Sequence, residues 1–326
     1  MNKKKILVTG CAGFIGSYLV GKLIETNKYI VYGIDNLNNY YDYKLKKERL
    51  NKLLKKKSFF FYKFDISNSK KIIKNFKKNK YDFVFHLAAQ AGVRFSIKKP
   101  DTYLSSNIIG FYNILEASKI TNVKLIYFAS SSSVYGDKKK FPVSEKFNSD
   151  TPKSFYAATK KCNEIMAYSY SHLYNMKIIG LRFFTVYGPL GRPDMTPFSF
   201  LNKYYEGKYI NIYNKGNHQR DFTYIDDVIN FLLKLFEKNK KNVKSNFEIF
   251  NIGRGKPQRL LKYIKIIEKI AKIKFKKKFI GPQAGDVKKT YSNLKKIFKI
   301  TNYKPKIDLE DGLKNFIGWY KKYYKI

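Results

Sequence analysis

A run of four serines and a spaced tyrosine–lysine pair are the residues of this sequence best suited to chemistry. Ser131 lies 25 residues before Tyr156, and Lys160 follows Tyr156 by one helical turn. A tyrosine whose pKa is lowered by a nearby cation can act as a general base, and a serine hydroxyl can hold the oxygen that loses its proton. Ser131, Tyr156 and Lys160 are therefore the predicted catalytic residues for carbinol or carbonyl chemistry.

The tyrosine–lysine spacing is weak evidence alone, because the chain has 28 tyrosines and seven such pairs. Tyr156 differs from the other six tyrosines in its surroundings. An apolar segment, residues 124–129, leads into the serine run upstream of it, and Ser154 is placed to cap a helix that Tyr156 opens. These surroundings select Tyr156 as the functional member of the set.

The segments around these residues alternate between predicted strands and predicted helices. Apolar runs predict strands over residues 6–8, 29–34, 59–64, 81–86, 124–129 and 177–182. Strands separated by helices indicate βαβ units and a parallel sheet, whose ligands bind at the carboxyl ends of the strands. The expected fold class is α/β, a Rossmann-type doubly wound parallel sheet.

Three glycines between the first strand and the first helix indicate a nucleotide-binding turn. Gly10, Gly13 and Gly16 let backbone N–H groups approach a pyrophosphate at a helix N-terminus. Asp35 ends the second strand, 19 residues after Gly16, where a carboxylate accepts from ribose hydroxyls and repels a 2′-phosphate. NAD is therefore predicted as the cofactor in preference to NADP. An alternative is that Asp35 only forms a turn before Asn36.

Segments at the ends of later strands complete the predicted cofactor site. Asp65 and Ile66 end the third strand and are placed to hold the adenine edge, although Asp65 could equally cap a helix. Small residues follow the fourth strand, and Asn107 lies in a long helix predicted over about 101–120. The predicted cofactor contacts are Gly10, Gly13, Gly16, Asp35, Asn36, Asp65, Ile66, Leu87, Ala88, Ala89, Gln90, Asn107, Tyr156 and Lys160.

The alternation of strands and helices changes after residue 182, which suggests a second lobe. We predict an NAD-binding Rossmann domain over residues 1–182, with a segment at about 222–252 that returns to the sheet through a strand over 247–251. Residues 183–221 and 253–326 are predicted to form a smaller, discontinuous C-terminal lobe that binds the substrate.

The formal net charge of +42 does not indicate a nucleic-acid partner, because of how the charge arises. Lysine supplies 59 of the 66 basic residues and is spread along the whole chain, which is typical of compositional bias rather than a binding patch. The seven arginines are more informative, since their planar fork binds anions in a way that lysine cannot copy. Some are predicted anion ligands, whereas Arg49, on an amphipathic helix, is predicted to be a surface residue.

Other bulk features predict a cytoplasmic enzyme. The sequence has two cysteines, no apolar run long enough for a membrane span and no signal-peptide pattern at its beginning. Its three histidines lack metal-ligand spacing, so no metal site is predicted, and His86 is expected to be packed at the end of a strand. We therefore expect neither a membrane partner nor a metal.

Eight segments along most of the chain carry a family resemblance. They are residues 9–16, 33–41, 86–94, 130–136, 156–160, 181–189, 191–195 and 220–227, and residues 285–287 extend the match. Together they resemble the extended short-chain dehydrogenase/reductase superfamily, and within it the nucleotide-sugar epimerases that act on UDP-glucuronate at C4. The resemblance implies a soluble isomerase of polysaccharide biosynthesis, and a homodimer.

The resemblance also implies a mechanism. Tyr156 takes the proton of the sugar O4 while hydride leaves C4 for NAD. The 4-keto sugar then rotates in the site, and hydride returns to its opposite face. A phenol titrates near ~10, so its pKa must fall by roughly three units to work at neutral pH. Lys160 and the oxidised nicotinamide are expected to lower it, and Ser131 is expected to hydrogen-bond O4.

The resemblance also implies substrate contacts, because residues of this chain match positions that bind the substrate in the family. Arg220 matches an arginine that binds the diphosphate, Asp286 an acid on the uridine ribose, and Tyr213 a residue beside the uracil. Hydroxyl groups and one guanidinium match positions around the C5 carboxylate of a uronate, namely Ser131, Ser132, Ser133, Thr185 and Arg192. The predicted substrate contacts are these nine residues: Arg94, Ser131, Ser132, Ser133, Thr185, Arg192, Tyr213, Arg220 and Asp286.

One or two sequence positions distinguish the predicted activity from related activities of the superfamily. Uronate decarboxylases of the superfamily typically carry Glu where this chain has Ser133, and sugar dehydratases carry Asp-Glu where it has Ser132 and Ser133. Ala91 replaces a lysine-type contact of glucose epimerases. The predicted reaction is NAD-dependent C4 epimerisation of UDP-glucuronate to UDP-galacturonate. Alternatives are a UDP-N-acetylhexosamine(uronate) or UDP-glucose 4-epimerase, then a UDP-glucuronate decarboxylase or sugar dehydratase, and lastly a basic nucleic-acid-binding or regulatory protein.

Overall fold

A computed structural model describes residues 3–240, 245–283 and 285–326 of the chain. Its strands are β1 (Lys4–Thr9), β2 (Tyr29–Asp35), β3 (Phe59–Lys63), β4 (Phe83–His86), β5 (Leu125–Ser131), β6 (Ile178–Phe183), β7 (Thr185–Tyr187), β8 (Ile210–Tyr213), β9 (Gln219–Arg220), β10 (Phe222–Tyr224), β11 (Phe247–Ile252), β12 (Gln258–Arg259) and β13 (Lys277–Ile280). Its helices are α1 (Phe14–Glu25), α2 (Tyr43–Leu54), α3 (Ser69–Asn79), α4 (Phe95–Lys98), α5 (Pro100–Tyr103), α6 (Gly110–Ile120), α7 (Phe155–Tyr174), α8 (Phe198–Tyr205), α9 (Ile225–Asn239), α10 (Leu260–Ala271), α11 (Lys295–Thr301) and α12 (Leu309–Tyr324).

The main sheet is parallel and has the strand order β11-β6-β5-β4-β1-β2-β3. Alternate residues of β1 face two different apolar layers, because successive side chains of a strand point to opposite sides. Ile6 and Val8 pack with residues of α1 and α9, whereas Leu7 packs with residues of α3 and α6. Helices therefore cover both faces of the sheet, and the predicted doubly wound α/β fold is confirmed.

The strands and helices follow the sequence prediction closely, with one interruption. The predicted strand over 247–251 does return to the main sheet, as β11 beside β6. The helix predicted over about 101–120 is divided by a π-helical turn, Leu104–Ile109, between α5 and α6. Ser154 caps α7 as expected, because its side chain accepts a hydrogen bond from the Ala157 N–H at 3.1 Å.

Smaller sheets lie beside the carboxyl edge of the main sheet. β7 pairs with β10 and β8 pairs with β13 in parallel, whereas β9 and β12 form an antiparallel pair. These pairs carry residues of the predicted substrate lobe, and β10 lies in the segment assigned to the NAD-binding domain. The division of the chain into these two domains stays a prediction.

The prediction that Arg49 is a surface residue is wrong. Its side chain is 1% exposed, because α2 presents it to the interior of the molecule. The guanidinium donates to the Ala12 carbonyl in the glycine turn, to the carbonyls of Leu190 and Gly191, and to the Tyr41 hydroxyl. Amphipathic spacing placed α2 correctly but could not show that a distant loop supplies carbonyl partners.

No helix among the described residues is long and apolar enough to cross a membrane.

Candidate active site

One cavity of about 750 Å³ opens at the carboxyl end of the main sheet. Every predicted catalytic, cofactor and substrate residue except Asn107 lines it. The cavity is also lined by residues for which no role was predicted, among them Tyr40, Lys46, Asp194 and His218. The structure thus brings the predicted residues together, while the individual role of each one stays a prediction.

The turn between β1 and α1 has to be built from glycine at its first position. Gly10 has a φ of +70°, and a Cβ there would stand 2.7 Å from the backbone nitrogen of Ala88. Helix α1 begins beside this turn, and among the described residues no side chain caps its N-terminus. Its first N–H groups and its dipole are therefore available to a phosphate at the cavity wall.

Asp35 is fixed at the end of β2 by two backbone donors. One carboxylate oxygen accepts from the Leu37 N–H at 2.8 Å and the other from the Ala12 N–H at 3.1 Å. Burial raises the pKa of Asp35, and these hydrogen bonds and the cation of Lys46 oppose the rise. The carboxylate is thereby held beside the glycine turn, where a ribose would meet it.

Asp65 and Asn36 form a linked polar pair at the same edge of the sheet. The Asn36 amide donates to an Asp65 oxygen at 2.6 Å, and the other Asp65 oxygen accepts from the Ser67 hydroxyl at 2.7 Å. Burial raises the pKa of Asp65, but the hydrogen bonds from Ser67 and Asn36 outweigh it and leave the value below the ordinary range. Ile66 lines the cavity next to them.

The structure differs from the prediction at Asn107, which does not line the cavity. Its side chain is 1% exposed and is bound on three sides. It accepts from the Gln90 N–H at 2.8 Å and donates to the Gln90 carbonyl and to the Thr159 hydroxyl. Asn107 lies in the π-helical turn, so it braces the loop after β4 against α7 instead of pointing at a ligand.

The predicted catalytic residues meet at the end of β5 and the start of α7. Burial raises the pKa of Tyr156, whereas its hydrogen bond with Ser131 and the positive charge of Arg192 lower it. The Lys160 ammonium donates to the Ala129 carbonyl at 2.8 Å. Burial lowers the pKa of Lys160 to about 7. The pKa of Tyr156 therefore responds to Ser131 and Arg192, and the acidifying role of Lys160 stays a prediction.

A buried ion pair underlies these residues. Glu164 lies one turn beyond Lys160 on α7 and accepts from Arg182 of β6 at 2.7 and 2.8 Å. The Ser130 hydroxyl donates to the same carboxylate at 2.5 Å. Arg182 and Glu164 are each 3% exposed, so they connect α7, β5 and β6 inside the protein.

The cavity is also lined by a mixed group of cations, acids and aromatic rings. Arg94 lies 4.6 Å over the ring of Tyr213 and 3.7 Å from the Asp286 carboxylate. Burial lowers the pKa of Arg220, which donates to the carbonyls of Gln219 and Lys288. Burial also lowers the pKa of His218, a cavity residue that its lone position in the sequence did not reveal.

Arg192 lines the same cavity as Tyr156, together with serine and threonine hydroxyls. Ser132, Ser133 and Thr185 are the hydroxyl residues concerned, and the Ser131 hydroxyl accepts from the Ser133 N–H at 3.2 Å. The Arg192 guanidinium pairs with Asp194 through two hydrogen bonds. A guanidinium among hydroxyls is suited to a carboxylate ligand.

In the described part of the chain, no three His, Cys, Asp or Glu side chains are close enough to bind a metal ion. Both cysteines are free thiols, and Cys11 is buried.

The residues present fit a dinucleotide. The uncapped start of α1 suits a pyrophosphate, and Asp35 and Asp65 with Asn36 suit the hydroxyls and ring edge of an adenosine. Lys160 and Tyr156 line the same cavity and suit the hydroxyls of a nicotinamide ribose.

Comparison with known proteins identifies the family to which the chain belongs. A family model for the NAD dependent epimerase/dehydratase family matches residues 6–253. UDP-glucuronate 4-epimerase 5 of Arabidopsis thaliana is 43% identical over 332 residues, which cover 98% of this chain and 76% of that protein. The chain therefore belongs to the NAD-dependent epimerase/dehydratase family.

Two solved structures are similar over nearly their whole length. The UDP-glucuronic acid 4-epimerase of Bacillus cereus, in complex with UDP-glucuronic acid and NAD, matches with a TM-score of 0.92 and 36% identity, covering 98% of this chain and 100% of that one. A UDP-glucose 4-epimerase of Thermotoga maritima, with UDP-glucose, has a TM-score of 0.87 and 33% identity, with 98% and 99% covered. The predicted NAD-dependent epimerase, an isomerase, is confirmed, and its cofactor is NAD.

Proposed function

We propose that this chain is a UDP-glucuronate 4-epimerase, which interconverts UDP-glucuronate and UDP-galacturonate. The observation that carries the proposal is the cavity lining, in which the Arg192 guanidinium and the hydroxyls of Ser132, Ser133 and Thr185 share one cavity with Tyr156. A cation for the substrate carboxylate and the base for O4 thus line the same cavity. The Arabidopsis and Bacillus relatives, which are named for this activity, support the same substrate.

In the proposed mechanism, Tyr156 removes the proton from the sugar O4 and later returns it to the same oxygen. Ser131 holds O4 in reach of the phenol, and the charges of Arg192 and Lys160 favour the phenolate. When bound, NAD would supply the acceptor and donor for the hydride of C4. Because the cofactor is regenerated within each cycle, Lys160 and Asp35 are expected to retain it between turnovers.

The remaining cavity residues are proposed to hold the uridine diphosphate. Arg220 binds the diphosphate, Asp286 binds the uridine ribose, and Tyr213 stacks beside the uracil. Arg94 lies between Tyr213 and Asp286, so it connects the ring and the acid. Arginine is well suited to phosphate because its two parallel N–H groups bind two oxygens together.

We also propose a homodimer. Helices α6 and α7 and the turn before α6 expose large apolar side chains, among them Ile109 at 49%, Ile165 at 59% and Leu173 at 65%. Helix faces of this kind are usually covered by a partner. Light scattering in solution, which gives the mass of the particle, checks this. A cytoplasmic location and a part in polysaccharide biosynthesis belong to the same proposal.

The reaction is tested by incubating the purified protein with UDP-glucuronate and no added NAD, and following the anomeric signals by NMR. We expect UDP-galacturonate to appear. UDP-xylose would identify a decarboxylase, and turnover of UDP-N-acetylglucosamine alone would identify a hexosamine epimerase.

The base is tested by Tyr156→Phe, which keeps the ring and removes the hydroxyl. We expect turnover to fall by about 10³-fold or more, since a general base contributes 10²–10⁴-fold and the hydroxyl also contacts the substrate. Bound NAD, measured by absorbance after release, should be unchanged. Retained turnover would contradict the assignment of Tyr156.

A further inference from the structure

Asp194 holds Arg192 in a defined orientation within the cavity. The Nε of Arg192 donates to one carboxylate oxygen at 3.0 Å, and Nη2 donates to the other at 2.5 Å. This bidentate contact uses one edge of the planar guanidinium. Within the described residues Nη1 makes no hydrogen bond, and the Tyr40 hydroxyl also lies close to the guanidinium. The second edge, formed by Nη1 and Nη2, is therefore the one left for a ligand in the cavity.

Asp194 is itself held by a second segment of the chain. The Tyr40 hydroxyl donates to Asp194 at 3.2 Å, and the ring of Tyr40 packs on Phe95 with centroids 4.8 Å apart. Gly92 makes room for this contact. It has a φ of +103°, and a Cβ there would overlap the Tyr40 hydroxyl. Three separate segments of the chain therefore fix the position of one carboxylate.

The same loop connects this group to the catalytic tyrosine. The Tyr103 hydroxyl donates to the Ala91 carbonyl at 2.9 Å and also to the Gly92 carbonyl. Its ring meets the ring of Tyr156 edge to face, with centroids 6.1 Å apart. A shift of Tyr40 or Asp194 would thus change the position both of Arg192 and of the loop beside Tyr156.

We propose that Asp194, anchored by Tyr40, is a positioning residue that presents the free edge of Arg192 to the carboxylate of the substrate. The proposal rests on the proposed function, because only a uronate brings that carboxylate. It assigns to Asp194 and Tyr40 the selectivity for a charged C5 substituent over a neutral one, through Arg192 and without contact to the reacting atoms.

Charge favours a positioning role over competition for Arg192. Burial raises the pKa of Asp194, but attraction to Arg192 and hydrogen bonds from Arg192 and Tyr40 outweigh it and keep the acid ionised. A substrate carboxylate that took the same edge would have to expel this ion. One that takes the other edge leaves both bidentate contacts in place, which costs no existing hydrogen bond.

The test compares ligands with and without the carboxylate. Affinities for UDP-glucuronate and UDP-glucose are measured by calorimetry on the NAD-bound protein and on Asp194→Asn. We expect about a tenfold loss for UDP-glucuronate, because a bidentate contact to a charge is lost. Affinity for UDP-glucose should stay within about twofold, since its neutral C6 group gains little from an oriented guanidinium. Tyr40→Phe should give a smaller loss in the same direction.

Two further variants separate positioning from a structural effect. Combined with Arg192→Met, the Asp194→Asn change should cause no additional loss, because its effect acts through Arg192. Asp311→Asn is the matched control. It removes another paired carboxylate, 3.4 Å from Lys314 on α12 and away from the cavity, and should leave both affinities unchanged.

Each other outcome overturns the proposal in a recognisable way. Equal losses for both ligands in Asp194→Asn would indicate a structural role only, and tighter UDP-glucuronate binding would show that Asp194 competes with the substrate. An additive loss in the double variant would show that Asp194 does not act through Arg192. Wild-type protein without preference for UDP-glucuronate over UDP-glucose would contradict the proposed function itself, and with it this inference.

Discussion

Two arginine–carboxylate pairs with similar hydrogen-bond lengths can be compared, one enclosed in the protein and one at the cavity. Arg182 and Glu164 are joined by hydrogen bonds of 2.7 and 2.8 Å, and Arg192 and Asp194 by bonds of 2.5 and 3.0 Å. The first pair is 3% exposed on both sides, whereas the side chains of the second are 22% and 32% exposed. The pairs differ in what the remaining N–H groups of the guanidinium contact.

The buried pair has its hydrogen bonds satisfied by the protein. Arg182 also donates to the Glu145 carbonyl and the Ser149 hydroxyl, and Ser130 donates to Glu164. The cavity pair keeps one guanidinium edge for a ligand. The comparison indicates that an arginine–carboxylate pair stabilises the fold when it is fully enclosed by the protein. When one edge of the guanidinium is left exposed in a cavity, the same kind of pair can bind a ligand.

The largest expected effect comes from breaking the enclosed pair. Glu164→Gln leaves the Arg182 charge buried without an anion, and such a change typically costs about 3–5 kcal/mol of unfolding free energy. Urea unfolding followed by circular dichroism measures the loss. Asp194→Asn, the matching change in the cavity pair, should cost less than about 1 kcal/mol, because solvent can replace the lost contact. Equal losses would remove the distinction between the pairs.

Lys160 extends the comparison to a buried cation that, among the described residues, has a carbonyl partner and no carboxylate. Burial lowers its folded-state pKa to about 7 from 10.5. Below pH 7 both the folded and unfolded states carry the proton, and the cost of burying the charge is fully present. Between those two values the unfolded state binds more protons, so stability increases with pH.

Lys160→Met should remove this dependence on pH. The stability advantage of the variant over the wild type is expected to shrink by about 1.4 kcal/mol per pH unit from about pH 7 to pH 9, measured by urea unfolding. Lys161→Met is the control, because the amine of Lys161 is paired with Asp150 at 3.1 Å. It should change stability by less than about 1 kcal/mol at each pH. A constant difference for Lys160→Met would show that its amine is not desolvated.

The sequence predicted those parts of the site that are contiguous in the chain. Gly10, Asp35 and the serine run each sit at the end of a strand, and parallel strands bring such ends to one edge of a sheet. Tyr156 was selected by its distance from that run and by the cap at Ser154. Local spacing and strand pattern were therefore enough to place most of the cavity lining.

Contacts between distant segments were not predictable in the same way. Tyr40 and Asp194 are 154 positions apart, and Arg49 is 141 positions from Leu190. No local pattern reports a partner at such a distance. Arg49 had the spacing of a surface residue and Asn107 that of a cofactor ligand, and in each case a loop from elsewhere supplied the buried partner.

The smallest expected effect tests whether the enclosed pair needs its third member. Ser130→Ala removes the hydroxyl that donates to Glu164 at 2.5 Å but leaves both Arg182 contacts in place. Stability should fall by about 1–2 kcal/mol, the usual range for a hydrogen bond to a charged group. Ser118→Ala is the control, because Ser118 is equally buried but its hydroxyl has no partner among the described residues, so its loss should be neutral or slightly stabilising. A Ser130→Ala loss as large as that of Glu164→Gln would mean that the carboxylate depends on the serine as much as on the arginine, and no loss would mean that Arg182 alone satisfies it.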